Sequence, residues 1–69
     1  MYNILVVDDD KEIVESIEIF LKNEGYNVYK AYNGMEALDV LVNNDVHLIL
    51  MDILANGSNQ LQLDIYCLL

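Results

Sequence analysis

Asp8, Asp9 and Asp10 follow directly on the hydrophobic run Ile4–Val7, and Asp52 closes a second such run, Leu48–Met51. Carboxylates are hard oxygen ligands, and a set built only from them suits a divalent ion such as Mg²⁺ ahead of Zn²⁺. The two runs show no polar alternation, which is the pattern of strands buried on both faces in a parallel α/β sheet. Sheets of that kind hold their ligands just beyond the carboxyl ends of the strands. Four carboxylates gathered at one such edge repel one another unless a cation neutralises them, so the pattern points to a metal-dependent site.

The intervening residues supply the elements that must position these groups. The first strand is expected over Tyr2–Val7, after which Asp9 or Asp10 can cap a helix by accepting from the free amides of its first turn. Over Lys11–Asn23 the residues Ile13, Val14, Ile17, Phe20 and Leu21 share one helical face, with Glu12, Glu15, Glu18 and Lys22 opposite. Glu18 and Lys22 stand in the favourable i,i+4 order, and Gly25 lies where a left-handed terminating residue is needed. Tyr26–Tyr32 alternates with period two and reads as an edge strand. Asn33 and Glu36 are spaced as a capping box for a second helix, with Met35, Leu38, Leu41 and Val42 on one side. Asn43-Asn44-Asp45 ends it, and Val46–Met51 forms the third strand. The order β-α-β-α-β with right-handed crossovers gives an α/β fold with a three-stranded parallel sheet, strand order 2-1-3, and flanking helices. Connections then leave strands one and three in different directions, opening a crevice with Asp8, Asp9 and Asp52 at its mouth.

Bulk composition narrows the function classes. Acidic residues outnumber basic ones 12 to 3 in 69 residues, a formal net charge of −9. That disfavours direct nucleic-acid binding and an anionic membrane surface, both of which need a basic patch. A hydrophobic content of 55% argues for a folded core despite the charge. No apolar run approaches the roughly 20 residues of a spanning helix, and the single Cys67 forms no internal disulfide, which fits a cytoplasmic protein. His47 and Cys67 read as a strand-edge residue and a small hydrophobe, and Tyr26, Tyr29 and Tyr32 as packing residues.

Three segments, "ILVVDDD", "LKNEGYNVYKAYNGMEAL" and "LILMD", resemble in order and spacing the receiver domain of bacterial two-component response regulators. The resemblance implies a flavodoxin-like fold over residues 1–54, a sheet whose switch point lies between strands one and three. It implies that Asp52 is the phosphoacceptor, phosphorylated by a partner sensor histidine kinase. It also implies Mg²⁺ at Asp8, Asp9, Asp52 and the main-chain carbonyl of Leu54, with Asp9 as a direct ligand and Asp8 acting through water. Phosphoryl transfer needs positioning and neutralisation of charge on the transferred oxygens, which is what the ion supplies.

After Leu54 the resemblance stops. Ala55, Asn56, Gly57, Ser58, Asn59 and Gln60 stand where the family continues differently, and the hydroxyl residue and lysine that contact the phosphoryl group in the family have no counterpart, so the receiver fold is expected to be partial and truncated. Residues 55–69 form a divergent tail. Leu61, Leu63, Ile65, Cys67 and Leu69 alternate like a strand, while Leu61, Ile65, Leu68 and Leu69 fit one helical face; position after the loop favours a short helix capped by Ser58 or Asn59. The third strand would then be an open apolar edge, an outlet for self-association. On that basis the alternative function is an interaction fragment without phosphotransfer, pairing with itself or with an intact regulator. An enzyme is not expected. Asp8 and Asp10 match the Asp-x-Asp opening of haloacid-dehalogenase-type phosphatases, but Lys11 and Glu12 replace the small residue and hydroxyl that follow there.

Overall fold

The computed structural model describes residues 2–52 and 63–67. Its elements are β1 (Asn3–Val7), α1 (Lys11–Asn23), β2 (Asn27–Ala31), α2 (Gly34–Asn43), β3 (Leu48–Asp52) and β4 (Leu63–Cys67). β1 pairs in parallel with β2 on one side and with β3 on the other, giving the expected order 2-1-3. The α/β class and the partial flavodoxin-like arrangement therefore hold.

The sheet is packed on both faces because alternate residues of one strand point opposite ways. Leu5, Val7, Ala31 and Ile49 join Ala37 of α2 and Val46 in one cluster, with Tyr29, Val40, Leu41 and Met51 against it. Ile4 and Val6 join Val14 and Leu21 of α1 in the other, with Ile17, Val28, Tyr32, Leu48 and Leu50 alongside. β2 is an edge strand as expected, and Val28 and Tyr29 pack on opposite faces of the sheet.

Local signals in the sequence fix the helix ends. Asp10 caps α1, its side chain accepting from the Glu12 amide at 3.0 Å. At the other end the Tyr26 amide donates to Leu21 O and the Gly25 amide to Lys22 O, the paired bonds of a Schellman turn, with Gly25 at φ 93°. Asn33 caps α2 through the Glu36 amide at 2.9 Å, and Glu36 reaches back to the Tyr32 amide at 2.8 Å. Glu18 ties α1 to β2, meeting Lys22 at 3.0 Å and Lys30 at 3.3 Å. At the amino ends of the strands the Asn3 amide donates to His47 Nδ1 at 3.0 Å, and the His47 amide returns a bond to Asn3 O at 2.9 Å. His47 is thus a strand-edge fastener.

Four expectations are corrected. α2 buries Ala37 and packs Val40 and Leu41 inward, leaving Met35, Leu38 and Val42 at 78%, 60% and 82% exposure. Apolar residues surround much of this helix, so periodicity alone did not select the buried side. On α1, Phe20 turns outward at 63% exposure. In the tail, residues 63–67 form a strand rather than a helix, antiparallel to β3 with Leu50 opposite Ile65; the proposed caps Ser58 and Asn59 lie outside the described residues. β3 is therefore an interior strand, and the open edge proposed for self-association through strand three is covered.

The covering strand has a measurable role. A chain ending at residue 62 should self-associate at concentrations where the full chain remains monomeric, because β3 then regains an unpaired apolar edge. Sedimentation velocity checks this, and a truncated chain that stays monomeric would show that β4 does not guard that edge. The Glu18 contacts make a second prediction. The hydrogen bond from Lys22 holds the Glu18 carboxyl below the usual range, against partial desolvation and with help from Lys30, whose own ammonium is raised mainly by Glu18. A lowered carboxyl stabilises the fold above its unfolded titration range, and that contribution disappears as pH falls through the folded value. Glu18→Gln should accordingly be less stable than wild type at about pH 7, with the gap closing towards about pH 3. Urea midpoints across that range give the answer.

Candidate functional site

The site is built from the carboxyl ends of β1 and β3. The register pairs Val7 with Met51, so Asp8 and Asp52 each stand one residue beyond a matched pair on adjacent parallel strands. Asp8 continues the ladder on its other side, its amide donating to Ala31 O of β2 at 3.1 Å. The chain reaches this edge as an extended strand and leaves it as a helix, and Asp8–Asp10 form the short turn between them.

The three consecutive aspartates have different surroundings. Asp8 is buried, at 5% exposure, and its Oδ1 accepts from the Asp10 amide at 2.9 Å. That bond holds the side chain against the turn and pre-orients it. Asp9 is exposed at the mouth of the edge, and Asp10 is occupied as the cap of α1. Asp52 ends β3, where its backbone lies opposite Leu63 of β4. Leu54, the expected carbonyl ligand, lies outside the described residues.

Among the described residues no three acidic, imidazole or thiol side chains are grouped closely enough to hold an ion by themselves. The donor chemistry nevertheless fits Mg²⁺. Asp8 and Asp9 offer only carboxylate oxygen, the donor type a hard divalent ion takes. Two surface hollows lie elsewhere, one beside Gly25–Tyr29 and one lined by Tyr2, Ile4, Leu21 and Leu48, and neither includes these carboxylates.

One residue at this corner escaped the reading of motifs. Lys11, the first residue of α1, places its Nζ 5.6 Å from the centroid of the Tyr32 ring, just beyond β2. Its position directly after three aspartates was the available signal.

Comparison with known proteins decides the family. The family model described as the response regulator receiver domain matches residues 4–62. The chain belongs to the response-regulator receiver family. It is 41% identical over 58 residues to the regulatory protein VanR of Enterococcus faecium, a match covering 84% of this chain and 25% of that relative. The receiver thus spans about a quarter of the length of that curated relative. No solved structure gives a match. No helix among the described residues is long and apolar enough to cross a membrane.

In this receiver the cap and the buried carboxylate can be separated by mutation, because Asp8 uses the Asp10 backbone and α1 uses the Asp10 side chain. Asp10→Ala should lower stability by about 1 kcal/mol through loss of the cap, measured by urea unfolding. It should leave Mg²⁺ affinity within about three-fold, a shift of well under 1 kcal/mol, by calorimetric titration.

Proposed function

We propose that this receiver takes up a phosphoryl group on Asp52, with Mg²⁺ held by Asp8, Asp9, Asp52 and the main-chain carbonyl of Leu54. The observation that carries the reading is the Val7–Met51 register, which sets the acidic turn after β1 beside the residue that ends β3. The ion neutralises negative charge on the transferred oxygens. The chain's own part is positional: Asp8 is buried and oriented by the Asp10 amide, while Asp52 stands at the end of a strand held on both sides.

The proposed donor is a phosphohistidine of a sensor histidine kinase. An Asp52 carboxylate oxygen bonds to phosphorus as the donor's phosphorus–nitrogen bond breaks, leaving an acyl phosphate and a free imidazole. This assigns the chain a place as a cytoplasmic phosphorelay acceptor and no turnover of its own. The similarity to a regulatory protein supports that placement. The alternative of an interaction fragment rested on an open third strand, which β4 closes.

Incubation with acetyl phosphate and Mg²⁺, read by intact mass, tests the proposal. The wild-type chain should gain one phosphoryl group, and Asp52→Asn or chelation of the ion should reduce the modified fraction to background. Equal labelling of Asp52→Asn would refute it.

A further inference from the structure

α2 is apolar on the side that packs and again on the side that does not. Ala37, Val40 and Leu41 face the sheet, while Met35, Leu38 and Val42 stand 78%, 60% and 82% exposed. The exposed three are spaced i, i+3 and i+7, which on a helix makes one stripe along the axis. Large apolar side chains left in water as neighbours, rather than scattered singly, mark an interaction surface. Met35 at the head of the stripe is unbranched and polarizable, suited to fitting an incoming surface.

The charges beside the stripe select the partner. Within α2 the charged residues are Glu36 and Asp39, both exposed, and none is basic. Asp39 lies about 40° round the helix from Met35, and Glu36 about 100° in the same sense, so both border one edge of the stripe. Asp39 Oδ1 accepts from Asn43 Nδ2 at 3.3 Å, a long bond that a cation would supersede. Lys22 and Lys30 are held at 3.0 and 3.3 Å by Glu18 on the α1 side of the sheet, so they do not neutralise this face. A second copy of the chain fits poorly. Two stripes crossing on a two-fold axis at Leu38 would bring Asp39 against its own counterpart, and like charges so placed oppose association. The same carboxylates repel an anionic membrane surface.

We propose that the outer face of α2 docks an amphipathic helix of a partner protein, one that carries lysine or arginine beside its own apolar stripe. The partner's apolar residues pack between Met35, Leu38 and Val42 as ridges into grooves. Its basic residues meet Asp39 and Glu36. The stripe supplies most of the affinity, and the carboxylates set orientation and speed the encounter. This surface lies on the side of α2 turned away from the sheet, so the inference does not rest on Asp52 being the phosphoacceptor.

The test uses the full 69-residue chain and, as probe, a leucine–lysine peptide of about 18 residues patterned as an amphipathic helix. Fluorescence anisotropy gives affinity, and circular dichroism confirms that each variant is folded. Wild type should bind the peptide, and a peptide of the same composition with its leucines scattered round the helix should bind about ten-fold more weakly. Met35→Gln combined with Val42→Gln removes apolar area outside the core and should weaken binding about ten-fold. Asp39→Asn should weaken it about three-fold and flatten its dependence on ionic strength. Phe20→Gln, at an exposed apolar residue of α1, should leave affinity within about three-fold of wild type. Absence of binding by wild type would overturn the inference, as would equal binding of the scattered peptide, which marks bare charge attraction. Unchanged affinity in the double variant, or an equal loss in Phe20→Gln, would place the contact elsewhere and overturn it. An unaltered salt dependence in Asp39→Asn would overturn the choice of a basic partner. Sedimentation of the chain alone covers the other occupant: a dimer that the double variant dissolves would assign the stripe to a second copy instead.

Discussion

Everything in this receiver depends on β1 being buried on both faces and paired on both edges. Leu5 and Val6 have no exposure, one pointing to the α2 side and the other to the α1 side. Full burial of such side chains is worth about 1.5–3 kcal/mol each, and a one-residue slip would exchange the two faces. The strand therefore has one stable register against β2 and β3. That register decides where the chain emerges, and so where Asp8 and Asp9 stand relative to Asp52. The chemistry at the edge is set by the packing beneath it.

The turns leaving this edge are short and capped, which keeps the corner defined. Asp10 closes the start of α1 and Asn33 the start of α2, with Glu36 returning a bond to Tyr32. Glu18 then links α1 to β2 through two lysines. These contacts are individually modest, since exposed ion pairs contribute about 0–1 kcal/mol. Together they tie the helix starts and α1 to the sheet beneath the acidic turn.

Much of the fold was legible because its signals are local. The helix caps, Gly25 and the apolar runs depend on neighbours a few residues away, and the structure places them as read. The buried side of α2 was not legible. Met35, Ala37, Leu38, Val40, Leu41 and Val42 leave several faces apolar, and the sheet selects the one carrying the small Ala37. The tail was ambiguous for a related reason: its apolar spacing satisfies both a strand and a helix, and hydrogen bonding to β3 decides for the strand. At the site, the acidic positions were visible in the sequence. The use of Asp10 as a cap was legible, but the burial of Asp8 and the exposure of Asp9 were separable only once the turn was seen in three dimensions.

The sequence by itself determined which segments are strands and helices up to Asp52, where the helices begin and end, and that carboxylates follow two buried strands. These follow from backbone capping and hydrophobic periodicity, interactions between residues close in the chain. Only the tertiary structure decided that β4 covers β3, that α2 turns Met35, Leu38 and Val42 to solvent, and that Lys11 lies over Tyr32. Each of these is a contact, or an exclusion from contact, between segments distant in sequence. Such outcomes are set by competition for the faces and edges of one shared sheet, which no local pattern can encode.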